Sequence, residues 1–288
     1  MTIVRVPAST ANLGPGFDAL GMALSITADL GVVGDATPVD DLAGAVDEHH
    51  PASVAFAAAG GSGQLWVRSP IPMGRGMGYS GAMRVGGAAL AVASRSDDGS
   101  AAVAPEHQRI LAVAANLEGH ADNAAASLYG GVIATDGDRV VRVSTPLEPD
   151  VVLWVPPSTT LTAASRTSLP DTVAFSDAAF NVGRTALLVA ALAAGDVSLL
   201  RAATEDRLHQ AVRLAASPLS DAALAAGLAA GAWCGWLSGS GPTVAFLAEP
   251  DSGQALAAQL PDDGHVKVVA IDRLGVRCLG GRTDAERG

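Results

Sequence analysis

The sequence predicts a protein of mixed helices and strands that folds as two domains. Alanine-rich segments with apolar residues at helical spacing, such as 177–194, are interspersed with short β-branched segments such as Val151–Val155. The 288 residues suffice for one large domain or two ordinary ones. We place the boundary near residue 148, in the stretch Pro146–Pro149, and predict domains at residues 1–148 and 149–288.

Composition narrows the class of protein. Hydrophobic residues make up 49% of the chain and aromatic residues 4%, which predicts a core built mainly from Ala, Val and Leu. The formal net charge of −11 argues against sequence-independent nucleic-acid binding. Cys234 and Cys278 form neither a disulfide framework nor a metal cluster. We find no apolar leader and no run of membrane-spanning length, so we expect a cytoplasmic protein that does not associate with membranes.

The N-terminal segment predicts a strand and then an irregular loop. Thr2–Val6 alternates apolar and polar residues, and Pro7 is expected to end the strand. Two glycines and a proline then surround Asn12 and Asp18. Both polar side chains either point into a cleft, or Asp18 caps the segment after it while Asn12 satisfies the turn. The sequence does not separate these alternatives. Further strands are expected at Ile26–Val33 and Leu65–Val67, with a helix at Ala52–Ala59 between them.

The densest glycine pattern lies in Pro70–Arg84 and leads directly into a predicted helix at Ala82–Ala93. Backbone N–H groups of such a turn and of the helix N-terminus converge on one point, where the helix adds partial positive charge. The pattern favours a phosphate site over a simple change of chain direction. Tyr79 and Ser80 stand at the start of the helix, where a hydroxyl can cap it or reach a metal ion.

Two known phosphate loops were compared with this stretch. A Walker A motif requires Gly-Lys-[Ser/Thr], and the only lysine is Lys267. Gly76–Gly81 matches G-x-G-x-x-G, which leaves an NAD-dependent oxidoreductase open as an alternative. That fold needs a strand running into the first glycine and an acidic residue at a later strand end. Pro70 and Pro72 would interrupt such a strand. Asp97 and Asp98 are candidates for the acidic residue by their spacing, but they lie in a predicted surface loop.

A polar cluster follows the next predicted helix. Glu106–Leu117 has apolar residues at helical spacing and runs into Glu118–Asn123. If the helix continues, Glu118 and Asp122 share a face. A carboxylate close to a phosphate loop is a suitable Mg²⁺ ligand, because Mg²⁺ prefers oxygen and bridges phosphates. The plain alternative is a solvated helix end, and the flanking apolar segments favour a buried cluster.

The remaining segments predict a mixed second half. A hairpin is expected around Asp136-Gly137, and a loop carries Arg166. Helices are predicted near 177–194, 197–214, 219–231 and 252–260, and strands near 244–247, 266–271 and 276–279. A second glycine loop, Leu237–Thr243, is another place where a phosphate or substrate can be held.

Six motifs, in order along nearly the whole chain, resemble those of the GHMP kinases in their homoserine kinase form. They are Val6–Asp18, Pro72–Ala82, Glu118–Asn123, Thr162–Pro170, Asp206–Arg213 and Ser238–Thr243. The second is similar to the ATP loop P-x-G-R-G-L-G-S-S-A-A. The third is similar to the E-G-H-x-D-N that marks homoserine kinases within this superfamily.

The resemblance implies an α+β fold of two domains, the first ribosomal-protein-S5-like and the second ferredoxin-like. It implies transfer of the γ-phosphate of ATP to the side-chain hydroxyl of L-homoserine, on the route to threonine, with Mg²⁺ as cofactor. We also expect a homodimer. Another hydroxy amino acid as acceptor, an NAD-dependent oxidoreductase and a non-catalytic ligand-binding relative stay open as alternatives.

The resemblance also implies roles for individual residues. ATP is expected over Pro72, Gly74, Arg75, Gly76, Met77, Gly78, Tyr79, Ser80, Gly81 and Ala82, and Mg²⁺ on Ser80 and Glu118. The substrate is expected at Asn12, Asp18, His120, Arg166 and Arg213, with Asp18 facing its ammonium and both arginines its carboxylate. The residues expected to act in catalysis are Glu118, Asp122, Asn123 and Arg213.

Two positions depart from the family pattern. Tyr79 replaces the first serine of the usual G-S-S, which places a phenol beside the expected triphosphate. Ala121 replaces a common proline. The stretch 47–56 also shows no counterpart of the asparagine that many relatives have near adenine, so the sequence does not predict the adenine contacts.

Overall fold

The computed structural model describes residues 2–34, 43–96, 100–159 and 162–279, which form two antiparallel sheets covered by helices. Seven strands make the first sheet and four make the second. The strands are β1 (Ile3–Ala11), β2 (Leu20–Val32), β3 (Ala43–Ala45), β4 (Leu65–Arg68), β5 (Val132–Asp136), β6 (Arg139–Val143), β7 (Asp150–Val155), β8 (Cys234–Leu237), β9 (Val244–Ala248), β10 (His265–Val269) and β11 (Arg277–Leu279).

The helices lie between these strands in the chain. They are α1 (Pro51–Ala58), α2 (Tyr79–Ala93), α3 (Ser100–Val103), α4 (His107–Glu118), α5 (Asp122–Tyr129), α6 (Thr162–Thr167), α7 (Phe175–Ala194), α8 (Val197–Ala203), α9 (Gln210–Ala215), α10 (Pro218–Ala229) and α11 (Gly253–Ala257), with a short 3₁₀ turn at Ala104–Glu106. Together with the sheets they form the predicted α+β architecture.

The first sheet has the strand order β11-β1-β2-β4-β3, and β5 and β6 extend it from β2. The second has the order β10-β7-β9-β8. The predicted boundary near residue 148 falls between β6 and β7, which belong to different sheets, and β11 returns to the first sheet. The division into domains 1–148 and 149–288 stays a prediction.

The antiparallel pairing decides against the dinucleotide-binding alternative. That fold is built on a mostly parallel sheet, and every strand pair in the described part of the chain is antiparallel. β4, which precedes the glycine loop, pairs antiparallel with β2 and ends before Pro70. The NAD-dependent oxidoreductase hypothesis is therefore wrong. Asp97 and Asp98, considered as its acidic residues, lie outside the described residues.

The N-terminal strand is longer than predicted. β1 continues through Pro7 to Ala11, and its register with β2 shifts between Pro7 and Ala8. An irregularity of this kind accommodates a residue that has no backbone N–H to donate. The segment after Asp18 becomes strand β2, so the interpretation of Asp18 as a helix cap is wrong.

One helix prediction was wrong in extent, whereas the helix predicted at Glu106–Leu117 is confirmed as α4. The segment 197–214 divides into α8 and α9, because the carboxylate of Asp206 accepts the N–H groups of Leu208, His209 and Gln210 and starts a new helix. α4 ends at Gly119, whose φ of 83° is left-handed. Glu118 and Asp122 consequently belong to different helices and do not share one helical face. The hairpin of β5 and β6 is confirmed, the helices α1, α7 and α10 begin within two residues of their predicted starts, and α2 begins three residues early.

Among the described residues, one helix, α7, is long and apolar enough to cross a membrane by length and composition alone. Its contacts are those of a helix that packs against the rest of a folded domain. Asn181 and Thr185 donate hydrogen bonds to the carbonyl of Pro15, and Leu188 and Leu192 are buried in the main hydrophobic core. The side facing away from these contacts is exposed.

Candidate active site

The six motifs converge on one cleft with a volume of about 690 Å³, its open mouth included. Its lining residues are Asn12, Phe17, Asp18, Pro72, Met73, Gly74, Arg75, Gly76, Met77, Gly78, Tyr79, Ser80, Glu118, His120, Asp122, Asn123, Arg166, Arg213, Gly239 and Ser240. Of the predicted site residues, Gly81 and Ala82 do not line it. Both are buried in the first turn of α2, where Gly81 packs against Asn123 and Ala124 of α5.

The glycine loop needs its glycines because other backbone lies against it. Gly76 and Gly78 have left-handed φ values of 72° and 65°. A Cβ on Gly76 would lie 2.3 Å from the carbonyl oxygen of Ser238, and one on Gly78 would lie 2.0 Å from Oγ of Ser9. No side chain fits at either place. The loop is therefore held tightly between β1 and the second glycine loop.

Hydrogen bonds fasten the same loop to both halves of the chain. The hydroxyl of Ser238 donates to the carbonyl of Gly76 at 2.5 Å, and the N–H of Ser9 donates to Met77 at 3.3 Å. The guanidinium of Arg75 donates to the carbonyls of Pro156 and Pro157. Arg75 thus anchors the loop, which the family pattern alone did not indicate.

The N-terminus of α2 opens into the cleft without a side-chain cap. Its first N–H groups have no intrahelical acceptors and carry the positive end of the helix dipole. Ser80, in the first turn, donates its hydroxyl proton to Oε2 of Glu118 at 2.9 Å. The combination of free N–H groups, a glycine loop and a nearby carboxylate is suited to a phosphate chain and its cation.

Glu118 carries a second partner that the sequence analysis missed. Arg84 lies one turn after Ser80 on α2 and forms an ion pair with Glu118. Burial lowers the pKa of Arg84. The carboxylate is thus held in place from two sides. The four-residue spacing of Ser80 and Arg84 on α2 was the available signal in the sequence. The pairing of Arg84 with Glu118 also depends on how α4 crosses α2.

Ser80 and Glu118 fit a magnesium ion that is also bound by phosphates. The described residues contain no cluster of three acidic, histidine or cysteine side chains able to enclose a metal by themselves. Mg²⁺ bound to a nucleotide does not require one, because phosphate oxygens and waters fill most positions and the protein adds one or two oxygen ligands. One hydroxyl and one carboxylate, 2.9 Å apart, match that need.

His120, Asp122 and Asn123 form a buried polar wall of the cleft. The ring Nδ1 of His120 lies 2.7 Å from Oδ1 of Asp122, which also accepts the N–H of Asn123 at 2.7 Å. Oδ1 of Asn123 accepts the hydroxyl of Ser9 at 3.0 Å. Asp122 is almost fully buried at the N-terminus of α5, where the helix dipole stabilises its negative charge. These hydrogen bonds link the three residues to one another and to β1.

Asp18 and Arg166 bind each other across the cleft. Two parallel hydrogen bonds of 2.7 and 2.8 Å join the carboxylate to the guanidinium, and the pKa of Arg166 is raised by its hydrogen bonds to Asp18. The sequence analysis placed these residues at opposite ends of a zwitterion, so their direct pairing was not anticipated. Asp18 has a left-handed φ of 57°, and Asn12 accepts its N–H at 3.2 Å. Asn12 therefore both satisfies the turn and lines the cleft.

Arg213 is the most deeply buried cation of the cleft. Its Nη1 donates to the carbonyl of Gly239 at 3.1 Å, and its Nε has no hydrogen-bond partner among the described residues. Burial lowers its pKa, and the charge of Arg166 lowers it further. Since buried donors are normally paired, this guanidinium is suited to an anionic ligand.

His209 holds Arg213 and the N-terminal loop together. Its Nε2 lies 2.8 Å from the carbonyl of Gly14, and its Nδ1 lies 3.2 Å from Nη1 of Arg213. Arg213 and Gly14 can both be satisfied only if Nε2 donates and Nδ1 accepts, so the ring is neutral with its proton on Nε2. The motif Asp206–Arg213 was the sequence signal for this arrangement.

Phe17 is a lining residue that the sequence analysis did not select. Its ring lies 5.4 Å from the guanidinium carbon of Arg166 and 5.3 Å from that of Arg213. It also packs against His209 with ring centroids 5.2 Å apart. An aromatic face shared by two cations favours both positive charges. Its position inside the first motif was the only available signal.

Comparison with known proteins identifies the family. Residues 188–266 match the family described as GHMP kinases C terminal. A homoserine kinase of Caldanaerobacter subterraneus subsp. tengcongensis is 35% identical over 278 residues, which is 90% of this chain and 87% of the relative. The chain belongs to the homoserine kinase family of GHMP kinases. Family members act with ATP, which agrees with the loop at the start of α2.

Other homoserine kinases extend the agreement over the full length. The enzyme of Moorella thermoacetica is 37% identical, with coverage of 96% of this chain and 95% of the relative. Among solved structures, homoserine kinase from Cytophaga hutchinsonii superposes with a TM-score of 0.78 over 96% of this chain and 97% of that chain, at 24% identity. A mevalonate kinase of L. major superposes with a TM-score of 0.65 at 13% identity, over 93% of this chain and 94% of that chain, and shares the fold.

The burial of His209 leads us to expect a specific pH dependence of the stability of the folded protein. Burial lowers its pKa below the ordinary value of 6.5. Its contribution to stability is therefore complete above pH 6.5 and is lost as the pH falls toward the pKa of the folded state, because the unfolded chain binds the proton first. We expect the melting temperature of the wild type to fall more between about pH 8 and about pH 5.5 than that of His209→Gln, which does not titrate. Parallel pH profiles of the two proteins would contradict this.

Proposed function

We propose that the protein transfers the γ-phosphoryl group of ATP to the side-chain hydroxyl of L-homoserine. The observation that carries the proposal is the meeting of two kinds of site in one cleft. A phosphate-binding helix start lies at one side, and the charges of Asp18, Arg166 and Arg213 lie at the other. The names of the relatives support the same acceptor.

The charged side of the cleft suits an α-amino acid. Asp18 offers a carboxylate for an ammonium group, and Arg166 is released to a substrate carboxylate when the two separate. Arg213 adds a buried guanidinium that still lacks one partner. A guanidinium binds a carboxylate with two parallel hydrogen bonds, which fixes orientation as well as position. An alcohol without these charges would leave Arg213 without an anionic partner and would gain nothing from Asp18 and Arg166, which stay paired with each other.

Catalysis would rest on positioning and charge stabilisation. Asp122 and Asn123 are fixed by His120, Ser9 and the start of α5, so they can orient the acceptor hydroxyl toward the phosphate loop. The free N–H groups of α2 would stabilise charge on the transferring phosphoryl group. Holding reactants in line supplies much of the rate in phosphoryl transfer.

Ser80 and Glu118 would hold Mg²⁺ together with the β- and γ-phosphates. The ion would neutralise the developing charge on the phosphoryl oxygens. Arg84 keeps the Glu118 carboxylate oriented toward Ser80 before a metal arrives.

The acceptor is tested by assaying ADP release with L-homoserine, L-serine, L-threonine, mevalonate and galactose. We expect turnover of L-homoserine and little or none of mevalonate or galactose. Asp18→Ala and Arg213→Ala should each lower kcat/KM for homoserine by roughly 30-fold or more, because each leaves an opposite or buried charge without its partner. Arg166→Lys should also lose activity, because a lysine does not reproduce the two-pronged contact.

Arg139→Ala serves as the matched control, since Arg139 is exposed on β6 and lies outside the cleft. It should retain wild-type kinetics. Turnover of mevalonate or galactose with no activity on homoserine would contradict the proposed acceptor. Preference for a different hydroxy amino acid would keep the kinase and change its substrate. ATP binding without turnover of any acceptor would favour a non-catalytic relative.

The metal ligands are tested by Glu118→Gln, which keeps the size of the side chain and removes its charge. We expect weaker binding of Mn²⁺ in the presence of ADP, measured by electron paramagnetic resonance, and a fall in kcat of about 100-fold or more with little change in homoserine affinity. Glu106→Gln is the control, because Glu106 pairs with Arg109 away from the cleft. Unchanged Mn²⁺ affinity and near-normal turnover in Glu118→Gln would remove Glu118 from the metal site.

We also propose that the protein is a homodimer that uses the outer side of α7. Phe175 is 89% exposed and Val182 is 70% exposed, and the other exposed residues along that side are mostly small: Ser176, Ala179, Gly183, Ala186, Ala190, Ala193 and Ala194. A continuous uncharged surface of this kind is typical of an interface, and a second copy offers a matching surface.

Sedimentation velocity tests the dimer. Val182→Glu should sediment as a monomer, whereas Val141→Glu, at an equally exposed valine on β6, should remain a dimer. A monomeric wild type at micromolar concentration would contradict the proposal.

The cytoplasm is the location we propose. ATP and a free amino acid are substrates of that compartment, and Cys234 and Cys278 are unpaired thiols, as a reducing environment favours. Cell fractionation tests it, and recovery of the protein with membranes or secreted material would contradict it.

A further inference from the structure

Tyr79, the residue that departs from the family loop, stands where two cavities meet. It lines the cleft described above and also a groove of about 760 Å³, its open side included. The groove is lined by Ala43, Gly44, Ala45, Val46, Val67, Ser69, Ile71, Met73 and Tyr79. Met73 is the other residue common to both cavities. The phosphate loop therefore borders a second groove of mixed polar and apolar surface, with Tyr79 at the junction.

His50 fixes the hydroxyl of Tyr79. The ring Nε2 of His50 lies 2.9 Å from the Tyr79 oxygen, and the two rings meet edge to face with centroids 6.0 Å apart. Nδ1 of the same histidine accepts the N–H of Ala52 at 3.2 Å and so caps α1. A histidine has one proton to place when neutral, and burial lowers the pKa of His50. Since Nδ1 accepts, the proton is on Nε2 and is donated to Tyr79.

The direction of this hydrogen bond leaves one donor free. The Tyr79 oxygen accepts from His50, so its own proton is available to another acceptor. No acceptor for that proton is found among the described residues. Tyr79 is half-buried and lines both the cleft and the groove, so a ligand that spans both would pass beside it.

We propose that the Tyr79 hydroxyl, positioned by His50, donates a hydrogen bond to an oxygen at the nucleoside end of the bound nucleoside triphosphate. The triphosphate lies over the start of α2, and the nucleoside enters the groove beside Val46, Val67 and Ile71. Tyr79 is then a nucleotide-binding residue. The serine of the usual loop has a shorter side chain, so its hydroxyl does not reach the same position. His50 is a positioning residue. This inference rests on the proposed kinase function.

Binding measurements by calorimetry separate the hydroxyl from the ring. Tyr79→Phe should weaken ATP binding about 3- to 10-fold, the range for one neutral hydrogen bond. It should raise KM for ATP by a similar factor and leave KM for homoserine unchanged. Tripolyphosphate, which lacks the nucleoside, should bind Tyr79→Phe and the wild type equally.

Tyr129→Phe is the matched control. Tyr129 is the other tyrosine of the chain and also meets a histidine edge to face, His107, at 5.1 Å, but it does not line the cleft or the groove. It should bind ATP as the wild type does.

His50→Asn tests the positioning step without removing the helix cap. Asparagine is a good N-cap residue but is too short to reach Tyr79. This variant should weaken ATP binding less than Tyr79→Phe does. In the double variant the two losses should not add, because both act on the same hydrogen bond. Additive losses would assign His50 a purely structural role and contradict the coupling.

Wild-type ATP affinity in Tyr79→Phe would overturn the proposal, as would an equal loss of tripolyphosphate binding. These outcomes are independent of the acceptor. A protein that binds ATP through Tyr79 but does not phosphorylate homoserine would refute the proposed function and leave this inference standing.

Discussion

The whole site depends on the close contact of the glycine loop with β1 and with the second glycine loop. The glycine loop lies against the carbonyl of Ser238 and the side chain of Ser9 so closely that no Cβ fits at Gly76 or Gly78. This contact brings an element of the second sheet against the first sheet and places the start of α2 opposite the charged residues of the second half. The free N–H groups of α2, the carboxylate of Glu118 and the guanidinium of Arg213 face one space only because these loops touch.

The sequence predicted the elements of this arrangement better than their interactions. Glycine density followed by an apolar helical segment was sufficient for the loop and α2, because the local chain geometry determines both. The motifs also selected nearly every residue that lines the cleft. The alanine-rich segment 197–214 predicts one helix. The carboxylate of Asp206 divides it, and such a side-chain to backbone contact is not visible in periodicity.

Ion pairs were the least predictable feature. Arg84 and Glu118 lie on different helices, and Asp18 and Arg166 lie 148 residues apart in the chain. The partner of each charge is decided by how the elements cross, which residue types do not specify. His50 was likewise recognisable only as part of a stretch lacking the usual asparagine. Its contact with Tyr79 depends on the packing of α1 beside α2, which brings together residues 29 positions apart.

The pairing of Asp18 with Arg166 has a consequence for the strength of substrate binding. The cleft does not offer an uncompensated carboxylate and guanidinium at its accessible side, because Asp18 and Arg166 neutralise each other. A zwitterion bound as proposed would enter by exchange: one internal ion pair would be given up and two external ones would form. The net free energy of binding is the difference between the ion pairs that form and the one that is lost. These are similar in size, so the affinity for the substrate stays moderate. A ligand that carries only one of the two charges cannot complete the exchange and leaves one protein charge without a partner.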